Sequence, residues 1–318
     1  MIKTEHKYIE ILRILKEHQE PMGAKRLSEL LAERGYVMTD RAVQYYLRYL
    51  DTRGFTQKVG NQGRILTTTG IAETDCALVE DRIGFVISKL ERLAYRSTFD
   101  PDTATGDVAY NLTIVPDEDL EGVLRTFDNV RDAGFSFFQS YALMDRDPRI
   151  PSGHTGILTV CSITMDGVFQ HNGIPVKMAY GGTIRVIDKK PVEFVDLIGY
   201  QGSTVDPLQL FINSGLTSIG PCIAEGNGIV LANIRQIPGS SWDRASDLIS
   251  RMQNCGFRFP VIMGRGKVYN LMTDPGRISL VSYSGMNSIG FAAEEGYKLS
   301  TEIGAGTIPF SRVIGGGI

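Results

Sequence analysis

Four side chains at helical spacing, Arg41, Gln44, Tyr45 and Arg48, carry hydrogen-bond donors and one aromatic ring, with no acid among them. Positions i, i+3, i+4 and i+7 share one stripe of an α-helix. Such a stripe suits the reading of a DNA groove: Arg bridges a guanine edge, Gln an adenine edge, and Tyr meets a phosphate or a thymine methyl. The opposite stripe, Val43, Tyr46, Leu47 and Leu50, is apolar. The helix is therefore expected to lie on a core with its donors turned outward. Lys58, Asn61, Gln62 and Arg64 surround a Gly60-Asn61-Gln62-Gly63 turn, within reach of phosphates or a minor groove. Lys25 and Arg26 open the preceding helix, and Thr39 stands at the start of the donor-bearing one, all placed for backbone contact. A solvated face on a protein-binding winged helix is the other use of this pattern.

A second chemistry is the holding of a small carboxylate. The segment TVCSIT, read as a strand, places Thr159, Cys161, Ser162 and Thr164 among apolar neighbours, with Asp166-Gly167 as the turn after it. Asn172, then Gly181, Gly182 and Thr183, add an amide, exposed backbone N–H groups and a hydroxyl. Arg185 and Arg235 are the nearest cations, and Thr217 and Ser218 lie in a glycine-rich joining segment, 213–228. For any one of these residues the simpler reading comes first: the glycines make hairpin turns and Cys161 is a small core residue.

Catalytic patterns are missing. The histidines His6, His18, His154 and His171 show no metal-ligand spacing, and the cysteines Cys76, Cys161, Cys222 and Cys255 form no CxxC pair. There is no GxSxG elbow and no phosphate-binding GxxxxGK[ST] loop. No enzyme activity, metal or cofactor is expected.

The elements that must position these groups follow from periodicity. Tyr8, Ile11, Leu12 and Leu15 predict a helix over 3–18. Leu27, Leu30 and Leu31 stripe a second helix closed at Gly35, and the third runs from Thr39 or Asp40 to about Arg53. Strands at 56–59 and 64–68 complete a winged helix-turn-helix over 1–70. Val79, Ile83, Val86, Ile87 and Leu90 continue a stripe through a connecting helix in 71–98, either a dimerisation helix or a cap on the next core.

The body, 99–318, contains an internal repeat, about 111–212 and 229–314. NLTIVP ending at Pro116 matches NIRQIP ending at Pro238, and Gly134-Phe135-Ser136-Phe137 matches Gly256-Phe257-Arg258-Phe259. Helices are expected at 117–132 and 241–254, followed in each half by strands alone. The fold class is α+β: a winged helix, then two pseudo-twofold-related α+β halves with a ligand cleft between them. Closure of those halves on a ligand would change the spacing of two recognition helices.

Composition agrees. The chain of 318 residues has a net charge of −3, but residues 1–70 hold 12 Lys and Arg against 8 Asp and Glu, a net of +4. A basic head on an acidic body points to an anionic partner at the N-terminal end. The apolar content of 42% excludes wholesale disorder. No run of 18 apolar residues is present and the charged start MIKTEHKYIE is no signal peptide, so no membrane association and a cytoplasmic location are expected.

Read together, RGYVMTDRAVQYYLRYLD, GILTVCSITMDGVFQHNGIPVKMAYGGTIRV and SGLTSIGPCIAEGNGIVLANIRQIP resemble the NrpR family of archaeal nitrogen-responsive repressors, over essentially 1–314. The resemblance implies one effector domain and a homodimer on an inverted-repeat operator of double-stranded DNA upstream of nitrogen-assimilation genes. It also implies release from DNA by the effector 2-oxoglutarate. An NrpR homologue and basal transcription factors are implied as possible partners. A different small carboxylate, or action through a homologous partner protein, stays open, as does a pure interaction module.

Overall fold

The computed structural model describes residues 2–33, 36, 38–71, 74 and 86–314, and side chains from Glu10 onward together with Tyr8. Two compact units divide the chain, Met1–Gly84 and Phe85–Ile318.

In the first unit, α1 (Ile2–His18), α2 (Ala24–Glu33) and α3 (Asp40–Thr52) precede a hairpin of β1 (Thr56–Val59) and β2 (Gly63–Leu66). Ile11, Leu12, Leu15, Leu27, Leu31, Val43, Leu47 and Leu50 are fully buried together, each contributing about 1.5–3 kcal/mol of transfer free energy. Thr39 caps α3, its hydroxyl accepting from the Ala42 N–H at 3.3 Å. Ser28 Oγ donates to Asp40 Oδ1 at 2.6 Å and so pins the turn between α2 and α3. The hairpin loop is Gly60-Asn61-Gln62, because Val59 pairs with Gly63. Gly63 has φ +124° and lies against the Met22 backbone, where any Cβ would collide. The second strand is shorter than expected: Thr67 leaves it, accepting from the Gly70 N–H at 3.0 Å and opening a helical turn. Gly35, Val79 and Ile83 lie outside the described residues.

The second unit opens with α4 (Val86–Arg96), whose Leu90, Leu93 and Ala94 are buried against the body. The first half then runs β3 (Asp107–Pro116), α5 (Leu120–Asp132), β4 (Tyr141–Met144), β5 (His154–Val160), α6 (Ile163–His171), β6 (Lys177–Ile187) and β7 (Lys190–Gly199). After α7 (Pro207–Asn213) and α8 (Ile219–Glu225) come β8 (Gly228–Pro238), α9 (Trp242–Asn254), β9 (Ile262–Gly264), β10 (Lys267–Val268), β11 (Leu271–Met272), β12 (Arg277–Tyr283), α10 (Asn287–Glu294), β13 (Ser300–Pro309) and α11 (Ser311–Ile314). With the edge strand β7 and the separate β10–β11 hairpin set aside, each half is β-α-β-β-α-β, the split βαβ arrangement. The repeat motifs mark equivalent places, and the two Gly-Phe-x-Phe stretches pack on each other, with Phe137 stacked on Phe259 at 5.2 Å.

The halves interlock. One sheet is ordered β13-β3-β5-β4 and the other β7-β6-β8-β12-β9. The fourth strand of each half thus completes the other half's sheet, antiparallel along β3 and β8 respectively. This corrects the expected cleft that closes by hinge motion: separating the halves would tear two long backbone ladders. Segment 213–228 is likewise no free hinge, since α8 buries Ile219 and Cys222 in the core.

A second correction concerns TVCSIT. The strand ends at Val160, and Asp166 and Gly167 lie inside helix α6 rather than in a turn. This helix is buried from Ile163 to Phe169, so it lacks the one-sided stripe by which a surface helix is recognised. Gly167 permits its seat under α4, where a Cβ would come 2.6 Å from the Ala94 carbonyl oxygen. Its equivalent in the second half is α10, buried from Asn287 to Ala292.

Candidate functional site

On the winged helix, Arg41, Gln44, Tyr45 and Arg48 share the exposed side of α3, with Tyr45 68% exposed. Lys25 and Arg26 are exposed in the first turn of α2, and Arg26 forms a 3.4 Å surface pair with Glu29. Lys58, Asn61 and Gln62 are exposed on the hairpin. Arg64 differs from expectation: its Nε donates to Asp51 Oδ2 at 2.8 Å, while Asp51 Oδ1 accepts from Thr56 Oγ1 at 2.7 Å. It ties the wing to α3 instead of reaching outward. The Thr39 hydroxyl is committed to its cap.

In the body, one polar cavity of about 20 Å³ lies where the two halves meet. Cys161, Ser162, Ile163 and Arg235 line it with Asn111, Asn233, Tyr200, Asp206 and the Ser284-Gly285-Met286 turn; Leu90 of α4 closes it. Asn111 and Asn233 occupy matching places in the halves, each opening its NLTIVP or NIRQIP motif. The starts of α6 and α10 both border the cavity, so two positive helix ends meet there; the N–H groups of Thr164 and Met165 turn back to the Cys161 and Ser162 carbonyls, and those of Met286 and Asn287 to Ser284.

Arg235 supplies the charge. It is fully buried, and its Nε and Nη2 grip Asp166 at 3.1 Å each, while Nη2 also reaches Ser162 Oγ at 2.9 Å. Its Nη1 has no hydrogen-bond partner. Burial pushes the Asp166 carboxyl up, and the guanidinium opposes that. A buried guanidinium keeps its proton and requires a counter-ion, so the two form an ion pair. Asp206 caps α7, accepting from the Leu208 N–H at 2.9 Å; burial raises its carboxyl against the pull of the Leu208 and Gln209 N–H groups and Arg235. Burial also pushes the Cys161 thiol up to about 11 and the Tyr200 phenol well above its usual value. The Tyr200 hydroxyl donates to Asn233 Oδ1 at 2.9 Å. The arrangement offers a free guanidinium N–H, amides and helix N-termini to an anion, and no activated nucleophile.

Of the residues expected to hold a carboxylate, only Cys161, Ser162 and Arg235 meet in this cavity. Thr159 accepts weakly from Asn111 at 3.4 Å and lines a neighbouring cavity with Ser136 and Tyr141. Thr164 bonds to the backbone of Ala109 and locks α6 to β3. Asn172 caps the far end of α6. Gly181 makes room for Pro207 and Gly182 for Leu197. The Thr183 hydroxyl accepts from the Asp196 N–H at 3.1 Å, and Arg185 pairs with Glu193 at 2.9 Å on the surface. Thr217 donates to Glu294 at 2.6 Å, and Ser218 accepts from the Ile229 N–H at 2.9 Å; both shape the start of α8. These seven residues, from Asn172 to Ser218, have structural roles away from the cavity. Asn111, Asn233, Tyr200, Asp206, Ser284 and Gly285 were not foreseen, although the asparagine shared by the two repeat motifs was a readable signal for the first pair.

A winged helix followed by a duplicated body with a cavity lined by a buried arginine defines a winged-helix regulator with a separate regulatory domain. Comparison with known proteins agrees. Residues 83–314 match the model of the NrpR regulatory domains NRD1 and 2, and residues 9–74 that of the ribonuclease R winged-helix domain. The chain is 37% identical to the global nitrogen regulator NrpRI of Methanosarcina mazei over 94% of both chains. It is 32% identical to the global nitrogen regulator NrpR of Methanococcus maripaludis over 94% of this chain and 53% of that one, so it spans about half of that relative. A crystal structure of a nitrogen repressor-like protein from Methanococcus jannaschii shares the fold, with a TM-score of 0.60 and 21% identity over 71% of this chain and 96% of that one. The chain belongs to the NrpR family: it is a nitrogen-responsive transcriptional regulator, not an enzyme. None of its described helices is long and apolar enough to cross a membrane.

Proposed function

We propose that the protein represses nitrogen-assimilation genes by binding an inverted-repeat DNA operator as a dimer, and that 2-oxoglutarate in the Arg235 cavity releases it. The observation that carries this reading is the unpartnered Arg235 Nη1 in a cavity bordered by two helix N-termini. A ligand with a carboxylate at each end matches two helix ends related by the pseudo-twofold axis. Only one half supplies an arginine, since Thr113 stands where the other half has Arg235, and this asymmetry selects one orientation.

At about 20 Å³ the cavity has room for a single water-sized group. Entry of a dicarboxylate must therefore displace part of its lining. Leu90 is the piece that leads to the DNA-binding unit: it belongs to α4, which continues the chain from the winged helix and rests on α6. Displacement of α4, in place of hinge closure, then supplies the coupling free energy, typically about 1–3 kcal/mol.

Fluorescence anisotropy of a labelled promoter duplex from the organism's own nitrogen-assimilation genes, at fixed salt, tests the reading. Specific binding weakened 5-fold or more by 2-oxoglutarate is expected. Binding indifferent to 2-oxoglutarate refutes this effector, and absence of specific binding refutes the operator function.

A further inference from the structure

The charges that would share the cavity do not balance. Arg235 is already matched by Asp166 at 3.1 Å, so this pair is neutral as a unit. A dicarboxylate would bring two negative charges, and an ionised Asp206 a third, beside an ion pair, Asp166 and Arg235, that is out of contact with bulk water, Asp206 itself being half-buried. The positive helix ends and one spare guanidinium N–H stabilise an anion there, but for a third negative charge the one further cation is Lys89, whose ammonium is already paired with Glu302 at 3.4 Å.

We propose that Asp206 is a ligand-recognition residue of this cavity that acts as a neutral carboxylic acid, donating a hydrogen bond to the bound dicarboxylate, so that effector and one proton bind together. The inference rests on the assignment of the cavity to a dicarboxylate effector.

The neighbours of Asp206 leave it as the one group able to take that proton. From its own helix it meets the N–H groups of Leu208 and Gln209; from β8, Arg235; and from α4, Lys89, whose ammonium already donates to the Ile303 carbonyl at 2.8 Å. Tyr200, after β7, and Cys161, before α6, also face it. Arg235 cannot give up its proton, and Tyr200 and Cys161 are neutral near pH 7 and have none to gain. Asp166 is held by two guanidinium contacts. The start of α10 contributes Ser284, Gly285 and Met286, none of which titrates.

The test is calorimetric titration of the full chain with 2-oxoglutarate between pH 6 and pH 9, for the natural protein and for Asp206→Asn. Asparagine has nearly the same shape and is also a strong helix N-cap, so α7 keeps its start; a thermal melt verifies this. The carboxyl groups of the ligand, with ordinary values near 4, stay ionised throughout. Proton-coupled binding weakens by up to tenfold per pH unit once free Asp206 is ionised. The expected result is a loss of at least tenfold in affinity from pH 6 to pH 9 for the natural chain and less than threefold for Asp206→Asn. A flat profile with measurable binding overturns the proton-carrier role and leaves the effector reading standing. Equal slopes in both proteins do the same, as does a folded Asp206→Asn that binds nothing at pH 6. No binding by the natural chain at any pH overturns the effector reading, and this inference with it.

Discussion

Replacing Arg235 with Met removes a fully buried guanidinium and leaves the Asp166 carboxyl facing an apolar side chain. Breaking a buried ion pair from one side costs about 3–5 kcal/mol, because the survivor is a desolvated charge without a partner. For a domain of this size, with about 2–4 °C per kcal/mol, the melting temperature falls by roughly 6–20 °C. Asp166→Val alone strands the arginine and costs a similar amount. The double variant Arg235→Met with Asp166→Val replaces both charges by apolar groups, an exchange that is often neutral or stabilising. It should melt within a few degrees of the natural protein. Its affinity for 2-oxoglutarate, measured by calorimetry, should nevertheless fall at least tenfold, because Nη1 has gone. Stability recovers while recognition does not. A double variant that is both stable and fully competent for the effector refutes the role of Arg235. Single variants that each cost less than about 1 kcal/mol refute the ion pair as a structural element.

Gly285→Ala places a Cβ 3.0 Å from the Val160 carbonyl oxygen on the border of the cavity; effector affinity should drop tenfold or more by calorimetry, with a melting temperature lower by only a few degrees. Arg48→Ala should weaken operator binding by about 1–3 kcal/mol in anisotropy titrations without changing effector binding. Lys58→Ala should instead lower the slope of log affinity against log salt by about one. Asp147 accepts from Arg149 through side chain and backbone and is held down to about 2. In the unfolded chain it titrates near 4, so between those values the unfolded state binds more protons and stability falls as the pH falls. Urea midpoints measured from pH 5 to pH 2 should therefore decline less steeply in Asp147→Asn.

The winged helix was legible because its signals are local. The helical stripe of Val43, Leu47 and Leu50, the cap at Thr39 and the glycine turn at 60–63 each act within a few residues, and the opposite stripe of α3 is exposed as its periodicity required. The sequence also carried the duplication, since matching motifs 122 residues apart need no contacts to be seen. Helix α6 was misread because a helix buried on every side has no polar face to set its period. The orientation of Arg64 was likewise decided by a partner, Asp51, thirteen positions away and on another element.

Membership of the family and the donor-bearing face of the third helix were thus determined by the sequence alone. The effector cavity was decided only by tertiary structure. Its residues come from β3, β8, the starts of two buried helices, the cap of α7 and the inner face of α4. They meet because each half surrenders its fourth strand to the other's sheet, and strand exchange is a pairing choice between distant segments that no local periodicity records.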